Sequence, residues 1–422
     1  MAETRNIFVL GPDERNFALL RQLEQRTDYR FHSLLDEETL MHGDHPLSDH
    51  LDAAQRRLDS FDGSVDAIVG YWDFPVSSMV PILCTENGLP GPSLEAVVKC
   101  EHKYWSRLEQ RKVTDAHPGF DLIDFDDPQP PPGLSFPMWL KPVKSYSSDL
   151  AFKVEDEAGL VEATAEIRAG IGRVGQAFDF LLSRLELPPE IAEAGGQACL
   201  AEEAVSGVQL TAEGYCSDGE PHVYGVVDSL CYPDSPSFLR YQYPSELPAE
   251  VQDRVISTAA AVIRQIGLDS SMFNIEFFWN ADQDKLYILE INPRLSQSHA
   301  PLFQFVDGAP NYECMVRLAL GEEPDMPRRQ GQHAVAAKWF HRSFTDAFVR
   351  TAPTAEQVDQ LRQEAPEAII DLVAEEGQRL SELPAQDSYS YELFAAYLGA
   401  RDTDELTAKY HRCVAGLPFT LV

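Results

Sequence analysis

The stretch Phe273-Asn274-Ile275-Glu276-Phe277-Phe278-Trp279, followed by a polar turn and Leu286-Tyr287-Ile288-Leu289-Glu290-Ile291-Asn292-Pro293-Arg294, constrains this chain more than any other. Two runs suited to burial, separated by a short polar segment, predict an antiparallel β-hairpin. Side chains alternate along a strand, so Asn274, Glu276 and Phe278 share one face, and Ile288, Glu290 and Asn292 share one on the returning strand. With the turn centred near Asp282 and Gln283, Glu276 lies opposite Glu290 to within about one residue. Glu276, Glu290 and Asn292 then form a hard-oxygen set short of a full cage. Such a set suits Mg²⁺ or Mn²⁺, with the remaining positions going to water and nucleotide phosphates. Pro293-Arg294 ends the strand with a cation beside that set.

The 422 residues suffice for two or three domains, and a hydrophobic content of 44% supports ordinary cores. Asp and Glu number 68 against 34 Lys and Arg, a formal charge of −34. Neither nucleic acid nor an anionic membrane is expected as a partner, since both need a basic stripe to offset phosphate repulsion. A nucleotide site in this chain must be locally basic, which gives weight to the few lysines near the motifs. Seven cysteines without a Cys-x-x-Cys pair argue against a disulfide framework and for a reducing cytoplasm. No run of about 18 apolar residues and no signal-like N-terminus is present, so secretion and membrane insertion are not expected.

Ile7 to Leu10, Tyr29 to Leu35 and Val65 to Tyr71 read as strands of a small parallel sheet, with a helix around Leu51 to Leu58. Gly11-Pro-Asp-Glu lacks the three-glycine dinucleotide fingerprint. From Ser93, an N-cap residue, a helical pattern runs through Lys103 and Trp105 to Leu108. Phe136 to Lys141 and Leu150 to Val154 read as strands joined by a serine-containing loop. Val251 to Gly267 reads as an amphipathic helix stopped by its glycine. Ala334 to Phe340 reads as a strand opening a C-terminal unit, where His341 and Arg342 are candidates to touch substrate.

The hairpin resembles the magnesium-binding hairpin of the ATP-grasp enzymes, whose second strand typically reads Glu-Ile-Asn-Pro-Arg; Glu290 to Arg294 match it five for five. The resemblance spans roughly residues 93–321. It implies an α/β (α+β) fold: an N-terminal Rossmann-like pre-ATP-grasp domain (1–92), a two-subdomain ATP-grasp core (93–326, with a flap at about 135–205) and a C-terminal α+β domain (327–422). Lys141, in the family's Lys-Pro pair before a phosphate-covering loop, is expected to contact ATP phosphate. Ser147 and Ser148 stand in that loop in place of the usual glycines. Lys103 matches the other phosphate-contacting lysine, with Lys99, one helical turn away, as its competitor.

Cys199 to Gln209 resembles the hinge that grips adenine. Glu202 and Glu203 there, with apolar Val205, are the expected adenine contacts, and Gln209 replaces the usual glutamate that accepts from ribose. Arg294 is expected to stabilise the transferred phosphoryl group or a developing oxyanion. The implied activity is ADP-forming ligation: ATP phosphorylates a small carboxylate, and an amine or amino acid then attacks the acyl phosphate. Two other readings stand beside it. A biotin-carboxylase-type enzyme shares the domain order, but carries a basic segment where this chain has Thr211-Ala-Glu-Gly-Tyr-Cys-Ser-Asp-Gly. A non-catalytic nucleotide-binding protein is the other, and the altered phosphate loop is its support. The resemblance allows a homodimer, which no heptad repeat or large apolar face demands. His299, five residues beyond Arg294, is a candidate base.

Overall fold

The computed structural model describes residues 4–422 apart from 26, 43–44, 146–149, 384–386 and 388. The N-terminal apolar runs form a parallel sheet in which β1 (Arg5–Leu10) lies between β2 (Tyr29–Leu34) and β3 (Ala67–Val69). The helix expected around Leu51 to Leu58 covers Leu47–Asp59 and buries Leu51, Ala54 and Leu58.

Ser93 caps a helix as its sequence suggests, its side chain accepting from the Ala96 N–H. That helix does not continue to Leu108. It stops at Glu101, and a second helix, Lys103–Gln110, starts after His102. The break has a local cause. His102 takes an extended conformation, its Nδ1 accepts from the Trp105 N–H, and its Nε2 donates to the Gly195 carbonyl at 3.0 Å. A side chain that caps the following turn competes with the continuing helix. Lys103 therefore opens a separate helix.

Four antiparallel strands, β4 (Phe120–Ile123), β5 (Met138–Pro142), β6 (Phe152–Val154) and β7 (Cys199–Glu203), form a smaller sheet in the order β4-β7-β5-β6. One face carries Met138, Leu140, Cys199 and Ala201 into a core with Leu160 and Ile167 of helix Glu157–Gly170. By alternation, Lys141 and Glu202 occupy the other face.

The remaining strands are β8 (Val208–Ser217), β9 (Glu220–Cys231), β10 (Phe238–Tyr243), β11 (Ser271–Asn280), β12 (Lys285–Asn292), β13 (Val335–Ser343), β14 (Val349–Thr351), β15 (Ile369–Leu372), β16 (Tyr391–Ala400) and β17 (Thr420–Leu421). Eight of them make one sheet, β12-β11-β8-β9-β10-β13-β16-β15. It runs unbroken from the acidic hairpin into the C-terminal region, because β10 pairs with β13. Helix Ala249–Ile266 lies against it and ends at Gly267 with a φ of 78°, the left-handed cap expected of that glycine. Val251, Val255, Val262 and Ile266 pack on Leu210, Ile275, Phe277 and Ile288, so this core is the floor beneath the hairpin. Among the described residues, no helix is long and apolar enough to cross a membrane.

Candidate functional site

Strands β11 and β12 pair so that Glu276 lies directly opposite Glu290 and Asn274 opposite Asn292. The expected alternation fails at one point. Phe277 pairs with Ile288 while Glu276 pairs with Glu290, so Leu289 is an extra residue, a β-bulge. Ile288 is consequently in the core with Phe277 and Ile275 rather than on the face of Glu290. The bulge restores phase: Glu290 and Asn292 join Glu276 and Asn274 above, and Ile291 joins the core below.

Asn292 donates from Nδ2 to Asn274 Oδ1 at 3.0 Å, and Asn274 donates from its own Nδ2 to the Arg294 carbonyl at 3.0 Å. This chain of amides leaves the Asn292 oxygen directed away from Asn274. Glu276 Oε2 accepts from Gln209 Nε2 at 3.0 Å. Glu290 Oε1 accepts from Lys103 Nζ at 3.2 Å, and the same ammonium donates to the Ser145 carbonyl at 3.1 Å. Lys99 is engaged elsewhere, on Glu95 at 2.6 Å and over the Trp105 ring. The helix break at His102 thus separates the two lysines and gives Lys103 to the site.

The two carboxylates are electrostatically unlike. Burial, and then the neighbouring Glu290 charge, push the Glu276 carboxyl up to about 7. Burial also opposes ionisation of Glu290, but Lys103 and Lys144 outweigh it and hold that group below its ordinary value. Glu276 is therefore an acid whose ionised form Arg294 and Gln209 stabilise too little to offset burial and the Glu290 charge. Among the described residues, no three His, Cys, Asp or Glu side chains are placed to hold a metal ion. The donors fit a hard divalent cation bound by Glu276, Glu290 and the Asn292 oxygen, which needs further oxygen ligands from water or a phosphate.

Arg294 makes a bidentate pair with Asp73 just beyond β3, Nε to Oδ1 at 2.7 Å and Nη2 to Oδ2 at 2.6 Å. Burial disfavours the Asp73 anion, yet Arg294, Lys144 and Lys103 more than offset it, and its carboxyl lies below the usual range. Lys141 and Glu202 meet at 2.7 Å on the smaller sheet, and Arg107 Nε donates to the other Glu202 oxygen at 2.6 Å. Burial raises the Glu202 carboxyl, but the two cations bring it down to about 2.

Glu203 departs from this group. It is exposed, and its carboxylate accepts from the Gly119 N–H at 3.1 Å. Adjacent strand residues face opposite ways, so Glu202 and Glu203 cannot serve one pocket with their side chains. Val205 is half-buried in the irregular segment between β7 and β8. There Gly207, at φ 159°, passes so close to β11 that a Cβ would lie 2.3 Å from the Trp279 carbonyl oxygen. Ser147 and Ser148 lie outside the described residues.

The ATP-grasp domain family model matches residues 134–301, which take in strands β5, β6 and β7 of the smaller sheet, the β7–β8 connection and the acidic hairpin. Residues 134–301 are thus an ATP-grasp domain. Its fold is similar to an L-amino acid ligase from Bacillus licheniformis, with a TM-score of 0.72 and 14% identity, covering 100% of this chain and 99% of that one. It is also similar to phosphoribosylglycinamide synthetase from Anaerococcus prevotii, with a TM-score of 0.68, 12% identity and 100% of both chains covered. Biotin carboxylase from Campylobacter jejuni aligns with a TM-score of 0.64 and 14% identity, covering 99% of this chain and 92% of that one. These identities speak for the fold alone. The carbamoyl phosphate synthase large chain of Rubrobacter xylanophilus is 37% identical over 79 residues, 18% of this chain and only 7% of that protein's length.

Within this ATP-grasp architecture, several groups at the site escape a reading of the hairpin alone. Lys144 is buried on Glu101 at 3.1 Å, where Ser77 and Ser78 also bond the carboxylate. Its distance in sequence from Lys141 placed it in the loop, and only its burial marks it. Asp73 follows Tyr71-Trp72 at the end of β3, the usual position for a ligand-facing side chain in a parallel sheet. Glu213 is fully buried and accepts from His299 Nδ1 at 2.8 Å and Tyr224 Oη at 3.1 Å. In the C-terminal region His341 meets Tyr410 Oη at 3.1 Å and Arg342 pairs with Asp387 and Glu392, so both are engaged by the protein itself.

Proposed function

We propose that this protein is an ATP-dependent, ADP-forming carboxylate–amine ligase: it phosphorylates a small carboxylate to an acyl phosphate, which an amine or amino acid then attacks. The observation that carries the reading is the direct opposition of Glu276 and Glu290, with Asn292 beside them and Lys103 on Glu290. In a chain of net charge −34, Lys103, Lys141, Lys144 and Arg294 are cations that a polyphosphate would draw on here, each now matched by a carboxylate: Glu290, Glu202, Glu101 and Asp73.

Mg²⁺ or Mn²⁺ held by Glu276, Glu290 and Asn292 would neutralise the phosphates and orient them for in-line transfer. Lys103 and Lys141 bind phosphate oxygens, the latter exchanging part of its contact with Glu202. The backbone of the β7–β8 connection, with Glu202 and Val205 as flanking groups, receives the adenine, and Gln209 is within reach of a ribose hydroxyl. Asp73 fixes the plane of the Arg294 guanidinium, so its donors meet the charge that develops on the transferred phosphoryl group or the tetrahedral oxyanion. The units 1–92 and 327–422 flank the core and supply the walls of the acceptor site.

The test is Mg²⁺-dependent ADP release by purified protein against mixed pools of small carboxylates and amino acids, beside Glu290→Gln. Release that needs both an acid and an amine, and is lost in the variant, supports the reading. Tight nucleotide binding with no release under any pool would overturn it.

A further inference from the structure

We infer that Arg107 is a positioning residue that sets Glu290 from behind and joins the acidic hairpin to the sheet bearing Lys141. The inference rests on the nucleotide–metal reading above, and it concerns a residue outside every contact assigned there.

β12 is an edge strand, so the polar groups on its outer side have no strand to pair with. Two of them are satisfied from the helix Lys103–Gln110 side of the molecule. The Ile288 N–H donates to the Ala116 carbonyl at 2.8 Å, and the Leu289 carbonyl accepts from Arg107 Nη2 at 2.7 Å. Leu289 is the bulge residue, and Glu290 follows it. A bulge re-aims the side chain next to it, so whatever holds the bulge carbonyl also fixes the direction of the Glu290 carboxylate.

Arg107 is 3% exposed, and each of its three nitrogens has its own acceptor: Leu289 O, Glu202 Oε1 at 2.6 Å from Nε, and Gln110 Oε1 at 2.7 Å from Nη1. Lys103 lies one helical turn before it and holds the Glu290 carboxylate itself. One helix face thus grips Glu290 twice, by its carboxylate and by the backbone ahead of it. Through Glu202 the same guanidinium reaches Lys141, 2.7 Å from the other carboxylate oxygen. A planar fork can bridge these directions at once, whereas a lysine ammonium on a flexible stem would serve Glu202 and abandon the bulge.

The experiment is calorimetric titration of the full-length protein with ADP, in EDTA and in saturating Mg²⁺, for wild type, Arg107→Lys and Arg107→Met. Hydrogen exchange of residues 286–292 is followed in the same samples. Supporting groups behind a ligand typically change metal affinity by about 10–100-fold. In Arg107→Lys the gain in ADP affinity conferred by Mg²⁺ falls by about tenfold, metal-free ADP affinity changes by less than about twofold, and exchange in 286–292 quickens. A merely structural role would weaken both affinities alike, and that result overturns the inference. So does an undiminished Mg²⁺ gain. Should Arg107→Met unfold, Arg107→Lys, which keeps a cation on Glu202, decides the matter. Failure of the wild type to bind ADP in either condition overturns the nucleotide reading and this inference with it.

Discussion

Glu276 and Glu290 face each other across the hairpin, yet their carboxyls shift in opposite directions. Lys103 and Lys144 stabilise the Glu290 anion, and that anion is then one of the charges that discourages ionisation of Glu276. Near neutrality Glu276 therefore still keeps part of its proton. A divalent cation would displace it.

The folded-state carboxyl of Glu276, at about 7, lies above its ordinary 4.5. A raised group contributes stability that is fully present below its unfolded value and is lost as pH rises through the folded one. In EDTA the wild type should lose stability relative to Glu276→Gln as pH rises from about 4.5 to 7, and the difference should level off above that window. Thermal melts of both proteins across pH 4.5–7.5 check this. A constant difference would show that Glu276 ionises normally.

Lys103 and Lys99 provide an internal comparison, because the sequence alone places either at the phosphates. Lys103→Met should weaken ADP binding in Mg²⁺ by about tenfold or more, the loss of one charge-assisted contact. Lys99→Met should leave binding within about twofold and cost about 0.3–0.5 kcal/mol of stability, the usual value of an i,i+4 helix pair. Calorimetry and urea denaturation of the two variants check both halves.

What the sequence made legible was local. Ser93 and Gly267 announce helix ends because capping and left-handed conformations are properties of single residues. The pairing of Glu276 with Glu290 followed from period-two alternation and a short turn. What stayed hidden was nonlocal or broke a period. The bulge at Leu289 adds a residue that counting treats as regular, so Ile288 was assigned to the wrong face. The break at His102 depends on a carbonyl 93 residues away, at Gly195. Asp73 meets Arg294 across 221 residues, and no pattern near either one signals the other.

Asp73→Asn removes the negative charge on Arg294 while keeping the shape of the side chain. Arg294 stays buried but loses one of two parallel bonds and its fixed plane. Since its proposed partner is charge that develops during transfer, kcat should fall by about 10²-fold, with nucleotide affinity changed less than about threefold. Steady-state kinetics on the substrate pair identified by ADP release, alongside ADP calorimetry, separates the two. Equal losses in both would place Asp73 in ground-state binding instead.

Glu202 is the buried anion between Arg107 and Lys141, with a side chain 4% exposed. Removing its charge leaves two cations facing each other without compensation, and breaking a buried pair in this way costs about 3–5 kcal/mol. Glu202→Gln should therefore lower the urea midpoint clearly at pH 7. The cost should also depend on pH in a defined sense. The folded carboxyl, near 2, lies below its ordinary 4.5, so its contribution is present above about 4.5 and is lost as pH falls toward 2. Wild type and variant should converge in stability across that acid window and separate above it. A gap that persists unchanged down to pH 2 would mean that the Glu202 side chain acts through packing and hydrogen bonding, with its charge contributing nothing.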